Sequence, residues 1–221
     1  MTANAAASAP TSRAGTTSAA TPQHTVAEEF VLGVDLDGVC ADYEAGFRRV
    51  AAVELGVPES QLPTQTAWSF LESGWPFDSE QHFLDVHRTA VLGGMFAHLD
   101  AIPGVSEALW RLSDGGVRIR VVTHRLVVGQ AHAASVSSTV EWLDRYAIPY
   151  WDLCFARDKA DVGADLYIDD SPGKIEALRS ARGANIAMVF DQPYNRHVGG
   201  LRAYSWQDVV AEVSRRTGQT F

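Results

Sequence analysis

The chain has 221 residues, of which 46% are hydrophobic, and it carries a formal net charge of −9. This length suits one domain, or one domain with a large insertion, and the composition supplies enough apolar side chains for a core. The acidic balance argues against general nucleic-acid binding, which needs clustered Lys and Arg, so an anionic ligand would require a locally positive pocket. No apolar run approaches the ~20 residues that cross a membrane.

The N-terminal segment differs in composition from the rest of the chain. Its first 26 residues are almost entirely Ala, Ser, Thr, Pro and Gly. They lack the large apolar side chains whose burial offsets chain entropy, so residues 1–26 are predicted to be a disordered tail. The segment has neither the pattern of a signal peptide nor the arginine content of a transit peptide. The only cysteines, Cys40 and Cys154, are far apart, which favours reduced thiols in a cytoplasmic protein.

After the tail, short apolar runs alternate with amphipathic helical patterns. The runs typical of buried strands are FVLGV (30–34), VRIRVV (117–122), WDLCFA (151–156), DLYI (165–168) and IAMVF (186–190). Helical spacing predicts helices over 103–116, 131–147, 171–183 and from Ser205 onward. Ser171 is the expected N-cap of the third of these, with Pro172 at its first position and Gly183 past its end. This alternation predicts an α/β fold, a Rossmann-like three-layer core in which helices cover both faces of a parallel sheet.

One connection is much longer than the others. Roughly 65 residues separate Asp37 from the helix at Pro103, whereas strand-to-helix loops usually take about 2–6 residues. The segment contains a helical pattern at 43–55 and another at 77–92, with Asp78 as the expected N-cap of the second. We therefore predict a small helical cap at residues 43–100, inserted into a core made of residues 27–42 and 101–221.

Polar residues follow several predicted strands at the point where each strand ends. Asp35 and Asp37 follow the first strand, Thr123 the second, and Asp169 and Asp170 the fourth. Because the carboxyl ends of parallel strands share one edge of the sheet, these side chains are expected to lie together. Two carboxylates about 4 Å apart repel by about 4 kcal/mol at an effective dielectric of about 20, so the group needs a cation. Oxygen ligands of this kind favour Mg²⁺.

Two further residues add groups that suit a phosphate. Thr123 in VVTHR supplies a hydroxyl, and Lys159 in FARDKAD supplies an ammonium group. Beside a metal ion, both would hold the oxygens of a phosphoryl group.

The order of these motifs resembles the haloacid dehalogenase (HAD) superfamily of aspartate-nucleophile phosphohydrolases, over roughly residues 30–195. The resemblance implies that Asp35 attacks phosphorus to form an aspartyl-phosphate. It implies that Asp37 first protonates the leaving alcohol and then activates water. Thr123 and Lys159 would hold the transferring group.

The same resemblance implies a Mg²⁺ site made of carboxylates and one carbonyl. Asp35, the backbone carbonyl of Asp37, and Asp170 supported by Asp169 would bind the ion. Strand geometry allows only one of the adjacent Asp169 and Asp170 side chains to point straight at the metal, and the choice stays open.

Three longer motifs resemble the 5'(3')-deoxyribonucleotidase family: DxDGVxADYExGF, RDKxxxxADLxIDD and FDQPYNRH. Members of that family remove phosphate from nucleoside monophosphates, and an aromatic pocket in their cap stacks the base. The positions here that match this pocket are Tyr43, Phe47, Trp68 and Phe96. Arg157 matches a substrate-contacting arginine of the family. His124 and Arg125 replace the Ser-Pro of the animal members, next to the phosphate, and are either substrate-binding or surface residues.

Other prominent residues of the cap have simpler interpretations. Aromatic side chains more often fill small cores than bind ligands, and Phe70, Phe77 and Phe83 are expected to be core residues. The cap histidines show no metal-ligand spacing and are interpreted as ordinary residues: His82, His87 and His98. FDQPYNRH is interpreted as a family marker that braces the last strand.

Together these patterns predict a cytoplasmic, Mg²⁺-dependent phosphohydrolase acting on a (deoxy)nucleoside monophosphate. The small phosphorylated substrate is the expected partner, without nucleic acid or membrane, and the protein would be a monomer or homodimer. One alternative is a HAD phosphatase for another small phosphorylated metabolite, since the core recognises phosphate and the cap chooses the rest. Another is a binding module without turnover, which the presence of both Asp35 and Asp37 disfavours.

Overall fold

The computed structural model describes residues 29–221, and the predicted tail, residues 1–26, lies outside that range. The described strands are β1 (Val31–Val34), β2 (Arg118–Thr123), β3 (Asp152–Phe155), β4 (Leu166–Asp169), β5 (Ala187–Phe190) and β6 (Arg202–Ala203). They form one sheet in the order β3-β2-β1-β4-β5-β6, and every pairing in it is parallel. This confirms the predicted α/β fold with a parallel sheet.

The α-helices lie between these strands or after the last one. They are α1 (Tyr43–Leu55), α2 (Glu80–Leu92), α3 (Val105–Asp114), α4 (His132–Arg145), α5 (Pro172–Arg182) and α6 (Trp206–Thr217). Of these, α3, α5 and α6 contact the sheet. As predicted, Ser171 caps α5 by accepting a hydrogen bond from the Lys174 amide, and Ser205 caps α6 in the same way. Among the described residues, no helix is both long enough and apolar enough to cross a bilayer.

The sheet is buried because apolar side chains leave its strands in both directions. Val121 and Ile168 belong to the larger apolar cluster, and their chain neighbours Val122 and Tyr167 belong to a second cluster. Successive strand residues point to opposite faces, so the two clusters are the two apolar layers on either side of the sheet. The carboxyl edge of the sheet is therefore supported by an apolar layer on each face.

Two details differ from the sequence predictions. The N-cap of α2 is Ser79, whose hydroxyl accepts a hydrogen bond from the His82 amide, and Asp78 lies one residue outside the helix. The prediction of Asp78 was wrong because adjacent Asp and Ser are both good N-cap residues, and sequence cannot separate them. The second difference is β6, which was not predicted because two residues are too short for a recognisable pattern.

The long connection between β1 and α3 is helical. It contains α1, α2 and two short 3₁₀ turns at Glu59–Gln61 and Met95–His98. We refer to residues 43–100 as the helical insertion. Its centre is Phe47, which is fully buried and surrounded by aromatic rings, with Trp75 stacked on it at 5.9 Å and 5°.

Candidate active site

The first strand delivers Asp35 and Asp37 into a tight turn at the sheet edge. The Asp35 amide still donates to Ile168 O at 3.0 Å, so Asp35 continues the β1–β4 pairing. Two residues later, Gly38 adopts φ +76, and a Cβ there would collide with Asp170 Oδ2 and lie 2.7 Å from Tyr194 Oη. Only glycine avoids both the strain and the collision. The turn therefore fixes both aspartates against β4.

Lys159 is a buried cation between two carboxylates. Its Nζ lies 2.9 Å from Asp35 Oδ1 and 2.6 Å from Asp169 Oδ2. Burial alone would lower the pKa of Lys159, but Asp169 and Asp35 outweigh burial and raise the pKa above its ordinary value. Lys159 is therefore charged at neutral pH. It holds the two carboxylates together across the end of the sheet.

Asp169 and Asp170 are adjacent but have different surroundings. Both Asp169 oxygens are engaged, one by Lys159 and the other by the Ser171 amide at 2.9 Å. Asp170 lines the large cavity described below and accepts a hydrogen bond from Tyr194 Oη. Burial, followed by the nearby carboxylates of Asp169 and Asp35, raises the pKa of Asp170 well above its usual range. Of the pair, Asp170 is thus the one available to a ligand in the cavity.

The carboxylates fit a divalent cation. Oxygens of Asp35, Asp169 and Asp170 lie within 4.8 Å of one another. Burial raises the pKa of Asp35 to about 7, the carboxylates of Asp169 and Asp37 add to this increase, and Lys159 opposes it without cancelling it. With all three carboxylates ionised, the cluster would carry more negative charge than its one buried lysine balances. A hard cation bound by these oxygen ligands would neutralise the excess negative charge.

Thr123, at the end of β2, places a hydroxyl at the same edge of the sheet. Its Oγ1 is buried and makes no hydrogen bond to any residue within 29–221. Buried hydroxyls are nearly always paired, so an unpaired one at a cavity wall marks the position of a ligand. Thr123 borders the same cavity as Asp35 and Lys159. An oxyanion placed among these three groups would accept the Thr123 hydrogen bond.

Arg125 forms the closest contact with Asp37. Arg125 Nη2 lies 2.6 Å from Asp37 Oδ1, and its Nε donates to Oδ2 at 3.0 Å, an arrangement that fixes the carboxylate plane. Nη1 donates to Thr139 Oγ1 at 3.1 Å on α4, and the guanidinium lies 4.2 Å from the centre of the Phe96 ring. The Arg125 side chain is only 1% exposed, so the alternative of a surface residue is excluded.

A cavity of about 650 Å³ joins this edge to the helical insertion. We call its two sides the sheet edge and the aromatic wall. The sheet edge consists of Asp35, Asp37, Thr123, Lys159 and Asp170. The aromatic wall consists of Tyr43, Trp68, Phe83, His87 and Phe96. A volume of this size accommodates a ligand larger than phosphate alone.

The structure brings most predicted site residues to this cavity, including His124 and Arg125, but not all. Phe47 is fully buried and lies outside the lining, because its ring fills the centre of the insertion core. A base cannot stack on it, which corrects that prediction. Arg157 is exposed and outside the lining, and its carbonyl accepts a hydrogen bond from Lys174 Nζ at 2.5 Å. Asp169 lies behind the lining, where it supports Lys159.

The structure also places the aromatic residues that were expected in the core. It brings two residues to the cavity that were not predicted as site residues, Tyr194 and His87. Phe70 and Phe77 are buried and Phe83 is half-buried, and both Phe70 and Phe83 border the cavity. Tyr194, in the FDQPYNRH motif, contacts Asp170 and borders the cavity, so the motif does more than brace a strand. It follows β5, and the strand-end argument applied to Asp35 and Thr123 would have identified it. His87 carried no such signal.

Comparison with known proteins agrees with this geometry. The sequence profile of a family described as "5' nucleotidase, deoxy (Pyrimidine), cytosolic type C protein" matches residues 29–217. A Chlorobaculum tepidum protein provisionally described as a 5'(3')-deoxyribonucleotidase is 46% identical over 180 residues, covering 81% of this chain and 87% of that protein. The human 5'(3')-deoxyribonucleotidase of cytosolic type is 28% identical over 191 residues, covering 81% and 90%.

A solved structure shows the same fold at lower sequence similarity. A HAD family hydrolase from Deinococcus radiodurans R1, with bound phosphate and sodium, superposes with a TM-score of 0.52 at 18% identity. The match covers 87% of this chain and 97% of that one.

Proposed function

Because this chain belongs to the family of deoxy (pyrimidine) 5' nucleotidases of cytosolic type C, and is therefore a phosphatase of the nucleotidase class, we propose a specific reaction for it. The proposed activity is Mg²⁺-dependent 5'(3')-deoxyribonucleotidase activity, which releases phosphate from (deoxy)nucleoside monophosphates through an aspartyl-phosphate.

The observation that carries this proposal is the two-sided cavity. Its sheet edge offers a buried ammonium group and an unpaired hydroxyl beside a carboxylate cluster, which suits a phosphate. Its aromatic wall offers flat apolar surfaces, which suit a planar base. A nucleoside monophosphate has both chemical groups in one molecule. A small sugar phosphate would leave the aromatic wall uncovered.

The proposed chemistry proceeds in two displacements. An Asp35 carboxylate oxygen attacks phosphorus, the bond from phosphorus to the ester oxygen breaks, and Asp37 gives its proton to the leaving oxygen. Water then attacks the aspartyl-phosphate, Asp37 takes the proton of that water, and phosphate leaves with Asp35 restored. Lys159 and Thr123 hold the oxygens of the transferring group. Arg125 keeps the Asp37 carboxylate in a fixed orientation for both proton transfers.

In this proposal Asp35, Asp170 and the Asp37 carbonyl hold Mg²⁺, and Asp169 supports Lys159. When bound, the ion supplies positive charge that offsets the carboxylates and the phosphate. Both Asp169 oxygens accept hydrogen bonds from the protein, whereas Asp170 lines the cavity. This difference supports the division of roles.

The helical insertion is proposed as the cap that selects substrate, since it supplies the aromatic wall. A cytoplasmic location is also proposed. The free thiols of Cys40 and Cys154 support it, as does the description of the human relative as cytosolic.

The test is phosphate release by the purified protein across a matched panel, with Mg²⁺ and with EDTA. The panel contains thymidine and deoxyuridine 5'-monophosphates, the 3'-monophosphate of deoxyuridine, uridine 5'-monophosphate, deoxyribose 5-phosphate and glucose 6-phosphate. We expect the deoxyribonucleotides to have the highest kcat/KM and EDTA to abolish release. Higher kcat/KM for the sugar phosphates would instead support a phosphatase for another small metabolite.

A further inference from the structure

His87 lies at the centre of the aromatic wall. On α2, its ring stacks on Phe83, with 5.9 Å between centroids and 6° between planes. The edges of Tyr43 and Phe96 meet it at 6.0 and 6.2 Å. This packing fixes the ring orientation, and the same side chain borders the cavity. His87 is therefore a rigid part of the wall.

The ring nitrogens of His87 make no hydrogen bond to any residue in the described part of the chain, 29–221. Burial lowers the pKa of His87 to about 4, although Asp37 acts in the opposite direction. At neutral pH the imidazole is uncharged and has one donor and one acceptor nitrogen. Because this ring is held by aromatic side chains and borders the cavity, it can form a hydrogen bond with a group placed in the cavity.

Two other polar side chains of the cavity lining, Glu44 and Gln65, have protein partners. Glu44 accepts from Arg48 Nη2 at 2.5 Å and from the Gln65 amide at 3.1 Å. The Gln65 side-chain nitrogen donates to Trp68 O at 2.8 Å. His87 differs from both residues because neither of its nitrogens has a protein partner.

Three successive contacts connect His87 to Asp37 at the sheet edge. Phe96 packs against His87 on one side and against the Arg125 guanidinium on the other. Arg125 in turn holds Asp37. His87 and the sheet edge line the same cavity, so a ligand whose phosphate lies at the sheet edge has His87 among the residues that can meet its other end.

From this geometry we propose that His87 is a specificity-determining residue whose neutral imidazole forms a hydrogen bond with the polar edge of the substrate's pyrimidine base. The inference rests on the proposed nucleotidase function and adds a direct polar contact to it. Stacking surfaces accept any flat ring, whereas a hydrogen bond rejects a ring that lacks the matching group. Trp68 and Phe83 would bind the base, and His87 would identify it.

The experiment compares thymidine 5'-monophosphate with its 2,4-difluorotoluene analogue, which has nearly the same shape but little hydrogen-bonding capacity. We expect the wild-type protein to prefer the natural nucleotide by about 10-fold in kcat/KM, the size of one lost buried hydrogen bond. In His87→Phe, which keeps an aromatic ring against Phe83, the preference should fall to about 1. Turnover of deoxyribose 5-phosphate, which has no base, is measured in parallel as the reference for both proteins.

The matched control is His82→Phe, the same substitution five residues earlier on α2 and outside the cavity lining, which should retain the full preference. Equal wild-type kcat/KM for the two nucleotides would overturn the inference, even if His87→Phe failed to fold. A preference that persists in folded His87→Phe would overturn it as well. Failure of the proposed function is distinguishable, since the wild-type protein would then hydrolyse deoxyribose 5-phosphate but neither nucleotide.

Discussion

The sheet edge and the aromatic wall enclose one cavity, but different interactions hold them in place. The sheet edge is positioned by backbone pairing and short ion pairs, such as Asp35 to Ile168 at 3.0 Å and Lys159 to Asp169 at 2.6 Å. The aromatic wall is positioned by ring packing, with centroid separations of about 6 Å around His87. Directional bonds fix atoms closely, whereas ring packing tolerates exchange among rings of similar size.

This difference separates two kinds of functional effect. A change at the sheet edge should alter turnover of every phosphoester, because all substrates present the same phosphate. A change in the aromatic wall should alter discrimination among substrates, because only some of them have a base. Comparing a nucleotide with deoxyribose 5-phosphate, which has no base, therefore assigns any residue to one side of the cavity.

The largest effect is expected for Asp35→Asn at the sheet edge. An amide oxygen is a poor nucleophile, so kcat should fall at least about 10⁴-fold for both deoxyuridine monophosphate and p-nitrophenyl phosphate. Phosphate release measures this, and circular dichroism checks that the fold survives. Asp161→Asn is the matched control, an exposed carboxylate two residues after Lys159, and it should behave like wild type. Near-wild-type turnover by Asp35→Asn would refute the nucleophile assignment.

The sheet edge was predictable because its position follows from the topology. Once five apolar runs and the intervening helices had been identified, parallel pairing required Asp35, Thr123 and Asp170 to meet at one edge. The sequence then supplies the identity of the polar residue at the end of each strand. The different surroundings of Asp169 and Asp170 were not predictable, since they depend on where Lys159 Nζ and Tyr194 Oη lie.

The aromatic wall was only partly predictable, for a physical reason. Tyr43 and Phe47 are one helical turn apart and share a face of α1, yet Tyr43 borders the cavity and Phe47 is fully buried. Periodicity identifies the apolar face of a helix but not which end of that face a neighbouring helix will cover. His87 was interpreted as an ordinary residue for the same reason. Its role depends on the rings around it.

Arg125→Met tests whether Arg125 orients Asp37 at the sheet edge or binds the substrate. Without the guanidinium the Asp37 carboxylate loses its fixed orientation, so kcat should fall about 10²-fold equally for nucleotide and p-nitrophenyl phosphate. Unfolding in urea should also show a loss of about 3 kcal/mol, since a largely buried ion pair is broken. A higher KM for nucleotides with unchanged kcat would instead support the substrate-binding role predicted from the sequence.

The matched control for this substitution is Arg49→Met. Arg49 also pairs with an aspartate, Asp100 at 3.3 Å, but the two side chains are 46% and 69% exposed. Exposed pairs contribute about 0–1 kcal/mol, so this variant should retain both activity and stability.

Tyr194→Phe tests whether the sheet edge depends on the FDQPYNRH motif. Loss of the hydroxyl removes the hydrogen bond to Asp170, and removing such a supporting bond should weaken Mg²⁺ binding by roughly 20-fold. Calorimetric titration of the substrate-free protein with Mg²⁺ measures this without relying on activity. Tyr204→Phe, at a tyrosine that is 73% exposed, is the control. Unchanged or tighter binding in Tyr194→Phe would show that Asp170 does not need this partner.

The smallest expected effect is a change in nucleotide KM alone. It is tested by comparing substitutions of two aromatic residues of the helical insertion, Trp68 and Phe47. Trp68 is 55% exposed at the cavity, and stacking on a base is worth about 1–3 kcal/mol, so Trp68→Ala should raise KM for deoxyuridine monophosphate about 10-fold. KM for deoxyribose 5-phosphate, which has no base, should change little. Phe47→Leu should do the reverse, lowering the free energy of unfolding by about 1–3 kcal/mol while leaving KM unchanged, because Phe47 is buried behind the wall. If Phe47→Leu raised the nucleotide KM as much as Trp68→Ala, position in the cavity would not decide which aromatic residue binds the base.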